Sequence, residues 1–186
     1  MSTAVEKGSE KVSTWVVDPA HTSVEFAVKH MMFTTVRGRF TGFEVDLDFD
    51  PGHPERSSME ARIEAATIDT RNADRDAHLR SGDFLLAEEH PHIVFKSRRI
   101  EPIAQGTYRV VGDLSIRGVT RETALEASFG GTGKSPWGQE VASFSAEAKI
   151  NRKDFGLNWN AALETGGVLV GDEVKILLEV EAIKQA

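Results

Sequence analysis

Between Arg39 and Asp50 the chain alternates without error. Phe43, Val45, Leu47 and Phe49 fall on one parity, and Glu44, Asp46, Asp48 and Asp50 on the other. A period of two marks a β-strand with one face on apolar material and the other in water. Such a strand cannot bury its apolar face alone, so the rest of the chain must supply a partner surface.

The same pattern recurs along the chain. Trp15 to Val17 runs into the Asp18-Pro19 turn, and Ser23 to Met32 sets Val24, Phe26 and Val28 against Glu25 and Lys29. Ser58 to Ile68 presents Met59, Ala61, Ile63 and Ala65 on one parity, and Pro91 opens a strand expected over Ile93 to Ile103. Gln105-Gly106 reads as a hairpin turn, followed by Thr107 to Arg117 with Tyr108, Val110, Leu114 and Ile116 on one face. Beyond the reversal at Gly118-Val119-Thr120, Thr123 to Phe129 carries Leu125, Ala127 and Phe129 inward. Gly130 to Gly138 reads as a glycine-rich hairpin loop. Val141 to Ile150 then returns with Phe144, Ala146, Ala148 and Ile150, and Glu173 to Ile183 closes with Val174, Ile176, Leu178 and Val180. Between Arg152 and Gly171 no period holds, and a long loop or broken strand is expected there.

One segment breaks the strand pattern. Asn72 is an N-cap residue, Asp74 and Asp76 suit the positive end of a helix dipole, Arg80 the negative end, and Gly82 a C-terminal stop. Asp76 and Arg80 are spaced i, i+4. The spacing predicts a short helix over about residues 72–81, too short to persist alone in water, which must dock on the sheet.

Eight or nine strands joined mostly by short turns imply an antiparallel, all-β arrangement. One short helix cannot cover so much apolar surface, so the sheet must cover itself as a sandwich or a closed barrel. Several segments approach ten residues, which favours the eight-stranded barrel. Such a barrel is either packed solid or holds one small ligand. Ala61, Ala65, Ala127, Ala146 and Ala148 on inward parities leave room; interlocked with Phe26, Phe43, Phe49, Phe95 and Phe144 they would instead make a dry core.

At 186 residues the chain fits one domain, expected over residues 13–186 after a disordered polar tail, residues 1–12. The net charge of −7 argues against broad nucleic-acid or anionic-membrane binding, which usually shows a basic surface excess. The absence of cysteine excludes disulfides, thiol catalysis and thiolate metal sites. No stretch has the apolar length of a membrane span, and Met1 to Val12 has no secretory apolar core, so a cytoplasmic location is expected. Histidines at His90, His92 and His78 lack a third ligand at diagnostic spacing, and no metal site or cofactor is expected. His21, three residues after Asp18, suits fixing a turn by hydrogen bonding. Gly-Thr-Gly-Lys-Ser135 lacks the spacing and the following helix of a phosphate loop, and no nucleophile elbow occurs.

Six motifs stand in order: Asp18-Pro-Ala-His21-Thr-Ser-Val24, Arg37-Gly38-Arg-Phe40, Arg75-Asp-Ala-His78-Leu-Arg-Ser81-Gly-Asp83-Phe84, Pro91-His-Ile-Val-Phe95, Gly112-Asp-Leu114-Ser-Ile-Arg-Gly118-Val-Thr120 and Asn151-Arg152-Lys-Asp154-Phe155-Gly156. Together they resemble the YceI-like family, the lipocalin-like polyisoprenoid-binding proteins of bacteria, over nearly all of Trp15 to Ile183. The resemblance implies an eight-stranded antiparallel lipocalin-like barrel, its short helix against one side or end, around an apolar tunnel for a polyprenyl chain, a quinone tail or another long amphiphilic lipid.

The expected lining is Phe26, Val28, Phe40, Phe43, Leu47, Ile63, Leu79, Phe84, Phe95, Leu114, Ile116, Phe144 and Ala146, with Arg37, His78 and Arg152 at the mouth. The alternative role for Arg75, Asp83, Arg152 and Asp154 is to tie helix and loop to the barrel. The expected activity is non-catalytic lipid storage or transport. The alternatives are a lipid-modifying enzyme with His78 as acid or base, and a dry interaction module. A homodimer through an edge or through Phe84 to Leu86 is also open. Many members carry an export signal that is not seen here, which leaves buffering, storage or delivery to enzymes.

Overall fold

The structure, a computed structural model, describes residues 12–186; the tail expected over residues 1–12 lies outside the described residues apart from Val12. The elements are β1 (Ser13–Val17), β2 (Ser23–His30), β3 (Thr34–Phe40), β4 (Phe43–Phe49), β5 (Ser58–Glu64), β6 (Ile68–Asp69), α1 (Ala73–Arg80), β7 (His92–Ala104), β8 (Thr107–Ile116), β9 (Val119–Lys134), β10 (Glu140–Asn151) and β11 (Val170–Lys184). Every strand pair is antiparallel.

Eight strands close a ring in the order β1-β4-β5-β7-β8-β9-β10-β11, with β1 returning to β11. β1 takes only the C-terminal end of β11, Trp15 opposite Lys184 and Val17 opposite Ala182. β2 takes the remainder, from Ser23 opposite Glu179 to His30 opposite Val170, and extends through β3 to β6. A 3-10 turn, Pro19–His21, separates β1 from β2 along this shared edge. Closure removes the open edges of a β-sheet, and the expected eight-stranded barrel with one helix is the fold observed.

The parities match the alternation. Phe43, Val45, Leu47 and Phe49 of β4 point inward, as do Val174, Ile176, Leu178 and Val180 of β11. The core falls into two clusters. Trp15, Val17, Phe49, Ala142 and Ala182 pack where β1 closes the ring, and Ala65, Ile68, Leu85, Phe155 and Leu157 belong to the larger cluster around the helix.

Four local readings change. The run expected from Ser23 to Met32 turns at Met31-Met32 and returns as β3, which pairs with β2 from His30–Thr34 to Val24–Phe40. The run from Ser58 to Ile68 breaks after Glu64 at a 3-10 turn, Ala65–Thr67. Most of the glycine-rich loop is strand: β9 continues to Lys134, and a bulge at Ser143/Phe144 absorbs Gly130. In α1, Asn72 caps the helix by accepting from the Arg75 amide at 2.9 Å, but Asp76 does not pair with Arg80. Its buried carboxylate accepts from the Thr70 amide and hydroxyl, while Arg75 donates to Thr70 from the other side. The helix start is thereby tied to β6. The helix ends on Ser81, and Leu86 rather than Gly82 takes the left-handed conformation.

Candidate functional site

The barrel interior holds a cavity of about 300 Å³, lined almost wholly by apolar atoms. Its volume is at the lower end of the ~300–1,000 Å³ usual for ligand sites. The interior is therefore not packed solid, despite ten phenylalanines in the chain.

One end is stoppered by aromatics. Phe49 meets Phe144 at 4.8 Å and Phe129 at 5.1 Å between ring centroids, and Trp15 at 5.8 Å, all edge-on. Edge-to-face contacts of this kind add about 0.5–1.5 kcal/mol per pair beyond area burial. Towards the other end α1 and the residues after it form the cover, where Leu79, Phe84 and Leu85 line the cavity together with Leu157 from the β10–β11 connection. Phe84 and Leu85 are buried, and Leu86 is half-buried.

Thirteen apolar residues were expected to line the tunnel, and all thirteen border the cavity: Phe26, Val28, Phe40, Phe43, Leu47, Ile63, Leu79, Phe84, Phe95, Leu114, Ile116, Phe144 and Ala146. Of the five inward alanines, Ala61, Ala127 and Ala146 face the void. Ala65 and Ala148 are instead absorbed in the packed core.

The three polar residues expected at a mouth are not brought together there. Arg37, opposite Ala27 on the outward parity of β3, is exposed and does not border the cavity. His78 lies outside the cavity as well: its Nε2 meets Asp83 Oδ2 at 2.8 Å, and its ring packs edge-on against Phe84 at 5.0 Å and Trp159 at 4.6 Å. Arg152 does border the cavity and is 3% exposed. Its Nε donates to the Gly171 carbonyl at 2.9 Å, one terminal nitrogen donates to Leu157 and Trp159 at 2.6 and 2.9 Å, and the other donates to Val170 at 3.3 Å. Four of the five guanidinium hydrogens are thus consumed by the loop that Arg152 organises. Burial lowers its pKa from the ordinary arginine value, and nearby Asp172 opposes that shift. Arg152 is a clamp on the β10–β11 connection.

Two glycines escaped the sequence reading as shapers of the cavity. A β-carbon at Gly112 would meet Phe95 Cζ at 2.7 Å and would also collide with the Lys96 carbonyl. One at Gly38 would meet Phe26 Cε1 at 2.6 Å. Both rings line the cavity, and each lies against bare backbone. Each glycine lies within one of the six motifs, but its ring comes from a neighbouring strand: Phe26 is the register partner of Gly38, and Phe95 lies two residues from Ser97, the register partner of Gly112.

Among the described residues, those able to converge on a metal ion are Asp18, His21 and Glu181, on the outside of the barrel. His21 Nδ1 lies 2.8 Å from Asp18 Oδ2 and 3.8 Å from Glu181 Oε1. The Asp18 hydrogen bond, then the charges of Glu181 and Asp18, raise the His21 pKa; Asp18 is lowered by His21 and by the Ala20 amide. Asp18 also caps the 3-10 turn through that amide at 2.9 Å. These contacts make the cluster the fastening between β1 and β2, as expected for His21.

The chain is 40% identical over 165 residues to a UPF0312 protein of Staphylococcus epidermidis, covering 88% of this chain and 94% of the relative. Among solved structures, Burkholderia cenocepacia BcnA superposes with a TM-score of 0.78 at 24% identity, over 89% of this chain and 98% of that one. A polyisoprenoid binding domain from Saccharophagus degradans superposes at 0.62 with 12% identity, over 94% of this chain and all of that one. These two share the fold. The YceI-like domain model matches residues 15–182, nearly the whole barrel, and the chain therefore belongs to the YceI-like family.

Proposed function

We propose that the protein is a non-catalytic container for a long-chain isoprenoid, polyprenyl or quinone-like, or for a related amphiphilic lipid, which it stores or transports. The observation that carries this reading is the apolar cavity inside the barrel. Apolar surface removed from water contributes about 25 cal/mol per Å², so a hydrocarbon chain needs few polar contacts to be held there. The structural likeness to a domain named for polyisoprenoid binding supports the same cargo class.

The test is organic extraction of the purified protein followed by mass spectrometry, with native mass spectrometry of the intact form. A stoichiometric lipid is expected. A protein that emerges empty, and stays empty after incubation with polyprenyl alcohol and ubiquinone, would end this reading.

A second reading, a lipid-modifying enzyme, draws on the His78–Asp83 pair beside Phe84, whose ring borders the cavity. It requires a His78→Ala variant that binds lipid normally yet no longer converts it. Equal lipid composition from the wild-type and variant proteins would remove this reading.

A further inference from the structure

The β2–β3 hairpin ends in three consecutive large apolar side chains directed at solvent: Met31 is 44% exposed, Met32 60% and Phe33 84%. Soluble proteins usually build such a turn from Asn or Gly, because both central residues need positive φ. Here Met31 and Met32 occupy that region, at φ 50° and 65°. The tip is held in place: the Phe33 amide donates to His30 O at 3.2 Å, and the Met31 amide to Leu169 O at 2.8 Å. Val168, beside it on the β10–β11 connection, is 40% exposed.

The charge around this tip departs from that of the whole molecule. The chain carries −7, yet from Phe26 to Gly42 it contains Lys29, Arg37 and Arg39 with no acidic residue. Arg39 is paired with Asp69 at 3.2 Å. Lys29 donates to the Thr35 hydroxyl, and Arg37 has no side-chain partner among the described residues. Glu164 is the one acidic side chain between residues 161 and 169 in the neighbouring connection, and Asp172 and Glu173, in the β11 bulge beside Lys29, are paired with Lys153 at 3.3 Å and Lys149 at 4.0 Å. The tip also adjoins the cavity wall, because Val28 and Val170, either at or next to the His30–Val170 pair, both line the void.

We propose that this hairpin tip is a membrane-docking prong, with Met31, Met32 and Phe33 entering the interfacial layer of an anionic bilayer while Lys29 and Arg37 face its headgroups. Apolar insertion joined to basic flanks is the combination that holds peripheral proteins at anionic lipid surfaces. The proposal rests on the lipid-container reading, since a carrier must meet the membrane that supplies or receives its cargo. It places that meeting at the end of the barrel where the cavity wall adjoins the tip.

The test is co-sedimentation of the full chain with vesicles of equal parts phosphatidylcholine and phosphatidylglycerol, against vesicles of phosphatidylcholine alone. Bound cargo is read in the same preparations by native mass spectrometry. The wild type is expected to sediment with the anionic vesicles and to be released as salt rises to about 0.5 M. Phe33→Ser, at a site too exposed to disturb folding, is expected to weaken partitioning roughly fivefold to tenfold with cargo content unchanged. Arg37→Glu should weaken it further at low salt.

A wild type that binds neither vesicle overturns the proposal whether or not it carries cargo, and so does a Phe33→Ser variant that partitions like the wild type. A Phe33-dependent dimer without vesicle binding overturns it in favour of self-association. Phe33-dependent sedimentation of a protein that takes up no isoprenoid keeps the surface and discards the container.

Discussion

Phe26 lies across Gly38: the two are register partners on β2 and β3, and a β-carbon at Gly38 would come within 2.9 Å of Thr70 Cγ2 as well as striking the ring. The bare backbone of β3 thus sets how far the Phe26 ring withdraws from the cavity. Gly38→Ala is expected to cost about 1–3 kcal/mol by overpacking and to push the ring into the void. Denaturant unfolding measures the first effect and lipid content by native mass spectrometry the second. Unchanged values for both would show that Gly38 has no such role.

Filling the void directly should separate capacity from folding. Ala146 borders the cavity with Ala127 and Leu178 as its cross-strand neighbours. Ala146→Trp is expected to lower lipid occupancy at least severalfold while the far-UV spectrum remains that of a β-protein. Full occupancy in the variant would place the cargo elsewhere.

Arg152→Met removes the donors to four carbonyls while keeping an apolar stem. The Val170 carbonyl keeps Asn160 Nδ2 as a donor at 2.7 Å, and the expected loss is about 3 kcal/mol, because a buried carbonyl left unpaired costs ~1–3 kcal/mol when water cannot reach it. Hydrogen exchange should rise first between residues 157 and 171, which Arg152 holds together. Wild-type stability in Arg152→Met, with a specific loss of lipid, would instead make Arg152 a ligand contact.

The Asp18–His21 pair should respond to pH from both sides. The His21 pKa is raised, so its contribution is fully present below the ordinary histidine value of about 6.5 and is lost as pH rises through the raised one. The Asp18 pKa is lowered, so its contribution is present above the ordinary value of about 3.9 and is lost as pH falls through the lowered one. Both act together between roughly pH 4 and 6.5. In an NMR titration the His21 midpoint should lie above that of a free histidine. It should drop in Asp18→Asn, with a residual elevation from Glu181. An unshifted wild-type midpoint would mean that the pair does not form in solution.

What the sequence disclosed follows from what periodicity can report. Strict alternation in β4, and the apolar inward parity of β8, β10 and β11 despite Val111 and Leu177 on the other face, identify the inner face, so the apolar lining is legible. β3 is not, because its turn carries two methionines where a glycine or asparagine would have marked it, and because Gly38 occupies an inward position with no side chain. Missing β3 also misplaced Arg37, whose parity puts it outside. The roles of Arg152 and Glu181 depend on backbone carbonyls and on a neighbour 160 residues from His21, relations that no local pattern contains.

The ring closes through β1 on β11, with Trp15 opposite Lys184. Contacts so distant in sequence are slow to form, since the loop they close must be ordered before its contacts repay the entropy. While the chain is being made, β1 can be held along one side by β4, but its other edge waits for residues 182–184 to leave the ribosome. Until then the apolar lining belongs to an open, curved sheet, and the enclosed space comes into being only as synthesis of the barrel ends.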